Sequence, residues 1–213
     1  NHGIAFVPKQ DATLLRMFSQ RAQLNGYVYS RTEWEHLQSH LSGAYNHYNI
    51  ASAAAVGTFL EVKKEDIYAA IREYIPSNNR SEIFHGKQND LLVDCYNANP
   101  SSMEASIENF LSIERERKVM IIGDMKELGK WSEQEHLKIL EIVARSNVKR
   151  IITVGETFLN VSKKVSFKQG TTIRSFLSTD SLIEELPMLE LKDAFIFLKA
   201  SHSIGLEKLK TIL

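Results

Sequence analysis

The chain has 213 residues, 43% of them hydrophobic, and its 26 Lys and Arg residues balance 26 Asp and Glu residues, so the formal net charge is zero. This balance argues against a general nucleic-acid-binding protein, because such proteins usually carry a surplus of Lys and Arg to neutralise phosphates. No apolar run reaches the roughly 18 residues of a membrane span, and the single cysteine, Cys95, excludes a disulfide framework and a Cys-rich zinc site. We therefore expect a cytoplasmic protein that binds neither nucleic acid nor membrane.

The first third of the chain predicts a small region of mixed helix and strand. Apolar runs and helical spacing of apolar residues predict strands at 4–7 and 27–29 and helices at 14–22, 45–60 and 64–74. The helix at 45–60 is rich in alanine, which favours close packing. The run Pro76-Ser77-Asn78-Asn79 then has the strongest loop signal in the chain. We place the main domain boundary there, which gives domains of 1–77 and 78–213.

The second part alternates regularly between strands and helices. The predicted strands are 91–94, 119–123, 151–155, 172–176 and 194–199, and the predicted helices are 102–114, 132–146, 157–165, 181–186 and 204–213. The strand at 119–123 is apolar on both faces, as expected for a sheet that helices cover on each side. This alternation predicts an α/β fold with a doubly wound, mostly parallel sheet. Ligands of such sheets usually lie beyond the carboxyl ends of the strands.

The first strand of this series ends in a polar loop. Asp94 follows the apolar run, and Tyr96, Asn97 and Asn99 come before Pro100 at the start of a predicted helix. The carboxylate could hold a metal-bound water or orient a cation, and the two amides offer both donors and acceptors. Alternatively, the Asn and Asp side chains cap the turn and the helix, which composition alone favours slightly.

Two further strand ends carry charge. Gly123 is followed by Asp124 and Lys126, and the last strand ends at Lys199, with Ser201 two residues later. Lys199 and Ser201 could bind an anion near the next helix, although a solvated lysine and a capping serine explain them nearly as well. His136 lies inside a predicted helix, where a lone histidine is more often a packing residue than a catalytic one.

Several well-known site motifs are absent from the chain. It has no Gly-x-x-x-x-Gly-Lys-Ser/Thr phosphate loop, no Gly-x-Gly-x-x-Gly after a strand, no His-Glu-x-x-His metal motif and no Gly-x-Ser-x-Gly elbow. Spacing alone therefore predicts an α/β binding domain whose ligand is undetermined.

Four segments, taken together, resemble the Mur ligase family. Residues 42–53 resemble its Tyr-Asn-x-x-Asn segment, 78–82 its hinge arginine motif, 94–103 the loop of its dipeptide-adding member, and 123–129 with His136 another motif of that member. The resemblance runs from about Ser39 to the end of the chain. The motifs occur in the family's order, which makes the signal specific.

The resemblance implies a Rossmann-like C-terminal domain preceded by a remnant of the family's central ATPase domain. It also implies an ATP- and Mg²⁺-dependent ligase of cell-wall synthesis, monomeric at full length. Such an enzyme activates the carboxylate of UDP-MurNAc-tripeptide as an acyl phosphate, and the amine of D-alanyl-D-alanine then attacks it. Because the phosphate loop is missing, we expect the chain alone to be inactive. The alternative is a stand-alone, non-catalytic binding or regulatory module derived from such a ligase.

The resemblance also implies roles for individual residues. Asn46 and Asn49 are expected to face the adenine, and Arg80 to reach the phosphates or ribose of the nucleotide. Asp94 and Lys126 are expected to be catalytic residues, with Asp94 at the nucleotide end of the site and Lys126 near the phosphates. The residues expected to line the D-alanyl-D-alanine pocket are Tyr96, Asn97, Asn99, Lys199 and Ser201. No residue of this chain is expected to bind the metal.

Overall fold

The computed structural model describes residues 3–213. They divide into two compact units, with the boundary between Ile75 and Pro76. Within the described residues, no helix combines the length and apolarity that crossing a membrane requires. Each unit has a core of its own.

The first unit begins with a strand–helix–strand motif and continues with two helices. Its elements are β1 (Ile4–Pro8), α1 (Ala12–Ser19), β2 (Asn25–Tyr29), α2 (Asn46–Phe59) and α3 (Lys64–Glu73). β1 and β2 pair in parallel, with Phe6 opposite Tyr27. The small side chains of Ala51 and Ala54 are fully buried on α2, so the predicted close packing of this helix is confirmed.

The second unit is a six-stranded sheet covered on both faces by helices. Its elements are β3 (Glu82–His85), β4 (Asp90–Asp94), α4 (Pro100–Ser112), β5 (Lys118–Gly123), α5 (Ser132–Arg145), β6 (Arg150–Val154), α6 (Glu156–Val161), β7 (Thr172–Phe176), α7 (Thr179–Leu189) and β8 (Phe195–Lys199). The strand order is β3-β4-β8-β5-β6-β7, and all pairs are parallel except β3 with β4. The prediction of a doubly wound, mostly parallel sheet is confirmed.

Two apolar clusters sandwich this sheet. Helices α4, α5 and α6 pack on one face, and α7 with the C-terminal turns packs on the other. Alternate residues of β5 therefore enter different clusters: Ile121 joins the α7 side and Ile122 joins the α4–α6 side. This explains why the strand is apolar on both faces.

One predicted helix of this unit is wrong, and one observed strand lies outside the predictions. The predicted helix at 204–213 is instead two 3₁₀ segments, His202–Ile204 and Leu206–Thr211. Gly205 between them has a φ of +76°, which interrupts a continuous helix. The antiparallel edge strand β3 was not predicted, because its four residues, Glu-Ile-Phe-His, are too few to establish an alternating pattern.

Candidate functional site

The centre of the candidate site is a buried ion pair between two neighbouring strands. β4 and β8 pair in parallel with Asp94 opposite Lys199, at the carboxyl edge of the sheet. Lys199 Nζ lies 2.7 Å from Asp94 Oδ2, and the two side chains are only 1% and 14% exposed. Burying two charges is costly unless they pair with good geometry and their remaining hydrogen-bonding capacity is met.

Hydrogen bonds from three directions complete this pair. Ser106 Oγ, on α4, donates to Asp94 Oδ2 at 2.7 Å, and the backbone N–H of Ser81 donates to Oδ1 at 3.3 Å. Lys199 Nζ also donates to the carbonyl of Asn97 at 3.2 Å. The ion pair thus connects β4, β8, α4 and the loop that follows β4. It provides a fixed charge arrangement beneath that loop.

The loop after β4 combines capping residues with exposed side chains. Asn99 Oδ1 accepts from the backbone N–H of Ser102, and Ser102 Oγ accepts from the N–H of Asn99, which forms a capping box. The helix-capping alternative is thus confirmed for Asn99. Asn97 Oδ1 accepts from the N–H of Ala98. The amide NH₂ groups of Asn97 and Asn99 have no protein partner within residues 3–213, which leaves them available as donors.

The adjacent Cys95 is not a nucleophile candidate. Its thiol is buried and lies 3.3 Å from the carbonyl oxygen of Leu198, to which it donates. Burial, reinforced by the nearby charge of Asp94, raises the pKa of the Cys95 thiol far above its ordinary value. The thiolate form that nucleophilic chemistry requires is therefore strongly disfavoured.

Three exposed side chains stack beside this loop. The Arg80 guanidinium carbon lies 3.7 Å from the centre of the Tyr96 ring, a cation–π geometry. The His202 ring is also stacked with Tyr96, at 6.4 Å between ring centres. His202 Nδ1 lies 3.7 Å from Glu207 Oε1. Sequence reasoning did not assign His202, Glu207 or Ser106 to the site, because only the tertiary structure brings them to the loop after β4.

The second polar strand end is built around a buried aspartate. Asp124 accepts hydrogen bonds from the backbone N–H groups of Thr157 at 3.1 Å and Phe158 at 2.9 Å, at the start of α6. Gly155 leaves room for this contact: its φ is +118°, and a Cβ atom there would lie 2.3 Å from the Asp124 carboxyl carbon. The half-exposed Lys126 places Nζ 3.8 Å from Asp124 Oδ2.

His136 supports the same strand end from α5. The ring is 0% exposed; Nε2 accepts from the N–H of Met125 at 2.9 Å, and Nδ1 donates to the carbonyl of Ser132 at 2.7 Å. These bonds identify a neutral imidazole. Burial lowers its pKa below the ordinary value, against the raising effects of the Ser132 hydrogen bond and of Asp124. The packing interpretation of this histidine is therefore the one that the structure supports.

Ser201 joins the two strand ends. It is buried, and its Oγ accepts from the backbone N–H of Lys126 at 2.9 Å, while its own N–H donates to the carbonyl of Asp124. Because Lys199 and Ser201 are both buried, they support the loops at this edge rather than project into solvent. Their contact with a dipeptide stays a prediction.

The remaining predicted residues, Asn46 and Asn49, lie in the first unit, at the start of α2. Asn46 is 6% exposed, and its amide donates to the carbonyl of Ser42 at 2.6 Å. The exposed Asn49 donates to Asn46 Oδ1 at 2.9 Å. The structure thus pairs these two asparagines and, separately in the second unit, brings together Arg80, Asp94, Tyr96, Asn97, Asn99, Lys126, Lys199 and Ser201.

Comparison with known proteins identifies similar sequences over most of the chain. The family described as "Mur ligase, glutamate ligase domain" matches residues 79–202. A UDP-N-acetylmuramoyl-tripeptide–D-alanyl-D-alanine ligase from Treponema pallidum is 29% identical over 81% of this chain and 38% of its own length. The ligase of that name from Escherichia coli is 29% identical over 79% of this chain and 36% of its own. The chain thus spans a little over a third of the length of these curated relatives.

Solved structures share the fold. A UDP-N-acetylmuramoylalanyl-D-glutamyl-2,6-diaminopimelate–D-alanyl-D-alanyl ligase from Acinetobacter baumannii has a TM-score of 0.78 at 22% identity, over 98% of this chain and 50% of that one. A MurF ligase from Thermotoga maritima, solved in complex with ADP, has a TM-score of 0.71 at 18% identity, over 97% and 52%. At these identities the likeness supports the fold.

Proposed function

The chain belongs to the Mur ligase family, and we propose that it is part of an ATP-dependent ligase that joins D-alanyl-D-alanine to UDP-MurNAc-tripeptide in peptidoglycan synthesis. One observation carries the proposal: within the family match, the carboxyl edge of one sheet gathers Arg80, Asp94, Asn97 and Lys199. In this proposal residues 78–213 are the family's C-terminal Rossmann-like domain, and 1–77 are the end of its central ATP-binding domain.

The proposed reaction forms an amide in two steps. The tripeptide carboxylate takes the γ-phosphoryl group of ATP to give an acyl phosphate and ADP. The amine of D-alanyl-D-alanine then attacks the acyl carbon, and inorganic phosphate leaves. Because water competes with the amine for the acyl phosphate, the reaction depends on residues that position the amine and exclude water.

On the dipeptide side, we assign direct contacts to exposed groups of the loop after β4. Tyr96 offers an exposed ring and hydroxyl, and the amide NH₂ groups of Asn97 and Asn99 are free to donate to a carbonyl or carboxylate. Lys199 and Ser201 act from beneath. Lys199 holds the carbonyl of Asn97, and Ser201 holds the N–H of Lys126, so both position the pocket.

On the nucleotide side, we assign Asn46 and Asn49 to the adenine, since the Asn46–Asn49 hydrogen bond presets their side chains. Arg80 contributes a cation toward the phosphates or ribose, and Lys126 a second cation near the phosphates. Asp94 holds Lys199 in place at the nucleotide end of the site.

Mg²⁺ belongs to the proposed reaction but is assigned to no residue of this chain. Across residues 3–213, no three His, Cys, Asp or Glu side chains are grouped so that they could hold a metal ion. For the whole ligase we further propose a cytoplasmic monomer, because the cytoplasm supplies ATP and because the resemblance to the Mur ligases implies a monomer.

The test is titration of this chain with D-alanyl-D-alanine, followed by ¹H–¹⁵N NMR. We expect saturable shifts at 94–99 and 199–202, and none with L-alanyl-L-alanine. Asn97→Ala should weaken binding about threefold to tenfold, the loss expected for one or two hydrogen bonds. Asn160→Ala, the same change at an exposed asparagine on α6, serves as the matched control. Equal binding of both dipeptides, or no shifts at this edge, would contradict the proposal.

A further inference from the structure

A second concave site lies at the opposite edge of the same sheet. The strands β5, β6 and β8 begin there, and a cavity of about 750 Å³ opens between their first residues and the ends of the neighbouring helices. Eight of its fifteen lining residues are Lys or Arg, whereas Glu190 is the one acidic residue among them. This edge is separated from the candidate functional site by the length of strands of five or six residues.

Part of this positive charge stabilises the fold. Lys118 Nζ donates to the carbonyl of Leu111 near the end of α4, at 2.8 Å, and the Arg150 guanidinium donates to the carbonyls of Leu189 and Glu190 at the end of α7. Cations suit these places because the carbonyl end of a helix carries partial negative charge. Neither bond neutralises the cation, however, since the carbonyls are uncharged.

Carboxylates neutralise only the rim of the cavity. Arg117 lies 3.4 Å from Asp193, and the longer pairs of Arg115 and Arg145 also involve exposed side chains. Such exposed pairs are weak. Five of the eight cations have no carboxylate partner in the described part of the chain. Two of these, Lys149 and Lys192, have side chains with neither a hydrogen bond nor an ion pair there.

We propose that this cavity binds a small soluble ligand that carries two or more phosphate groups. A concave surface lined by one sign of charge concentrates its field on the opposite charge. A monocarboxylate would neutralise one of the five unpaired cations, whereas a diphosphate brings several negative charges within reach of Lys149, Arg150 and Lys192. The volume matches a small ligand, not an extended polymer or a flat membrane surface. The site does not depend on the ligase function.

Pyrophosphate is the probe for the first test, by ¹H–¹⁵N NMR of the whole chain at low salt. We expect saturable shifts at 115–118, 145–150 and 190–194. Lys149→Glu and Lys192→Glu should each weaken binding at least fivefold without changing the fold, since both side chains are exposed and make no contact that folding needs. The matched control is Lys163→Glu, which makes the same charge change at an exposed lysine outside the cavity, and it should weaken binding less than twofold.

Three results would overturn the proposal. The first is an absence of saturable shifts at this edge. The second is an equal loss with Lys163→Glu, which would indicate attraction by overall charge only. The third is loss of binding in Arg80→Ala but not in Lys149→Glu, which would locate phosphate binding at the other edge. A sedimentation assay with phosphatidylglycerol vesicles tests the other source of phosphate. Binding to vesicles without binding to pyrophosphate would also overturn the proposal, since the cavity would then bind a lipid headgroup and not a soluble ligand.

Discussion

Asp94 is the last residue of β4, and Asp124 directly follows β5. Both carboxylates thus lie at the end of a buried parallel strand, yet they contact different partners. Asp94 lies 2.7 Å from the ammonium of Lys199, which the neighbouring strand β8 places opposite it. Asp124 accepts backbone N–H groups at the start of α6, beside a neutral His136. One carboxylate is half of an ion pair, and the other is a helix cap.

The difference shows what determines the role of a strand-end carboxylate. The buried Asp124 carboxylate accepts from two backbone N–H groups, and its nearest cation is the more distant, half-exposed Lys126. The Asp94 carboxylate has one charged partner, Lys199, besides its hydrogen bonds with Ser106 and Ser81, and Lys199 also donates to the carbonyl of Asn97 in the exposed loop. The groups that we propose to face the ligand therefore lie in the loop that the ion pair supports, while Asp124 caps α6.

Breaking the ion pair should have the largest effect on stability. Lys199→Met leaves the Asp94 carboxylate buried without its cation, and we expect the free energy of unfolding to fall by about 3–5 kcal/mol. Urea denaturation followed by circular dichroism measures this loss. The double variant Lys199→Met with Asp94→Asn removes the uncompensated charge, so it should recover much of the loss. Simple addition of the two single effects would contradict a coupled pair.

Removing the cap should have an intermediate effect. Asp124→Ala leaves the N–H groups of Thr157 and Phe158 without their acceptor, and we expect a loss of about 2–3 kcal/mol in the free energy of unfolding. The same urea experiment measures it, and hydrogen exchange should accelerate first at the start of α6. Asp124→Asn keeps one acceptor oxygen and is the milder comparison. A loss as large in Asp124→Asn as in Asp124→Ala would show that charge, not capping, is the main contribution.

The pH dependence of His136 should be the smallest effect. Burial holds the pKa of His136 below the ordinary value of 6.5. As the pH falls, the unfolded chain therefore binds a proton at this residue before the folded chain does. Stability from the neutral ring is therefore complete above about pH 6.5 and falls as the pH drops from there toward the lower folded pKa. The melting temperature should decrease more between pH 7.5 and pH 5.5 for the wild type than for His136→Gln. Equal falls would mean that His136 is not the group responsible.

Local pattern predicted most of the second unit. The periodicity of 119–123 and of 132–146 anticipated β5 and α5 closely, because an apolar run or a helical stripe reflects burial directly. Pattern did not predict β3, which is too short, or the 3₁₀ turns at the end of the chain, where the positive φ of Gly205 prevents a helix.

By itself, the sequence determined the alternation of strands and helices, the α/β class of the second unit, the strand-end position of its polar residues and the resemblance to a family of ligases. These follow from periodicity and from residue types at fixed spacing. Only the tertiary structure decided that Asp94 pairs with Lys199, 105 residues away, that Asp124 caps α6, and that basic residues from separate elements line one cavity. Strand order and the resulting register determine these contacts, and neither is encoded in local spacing.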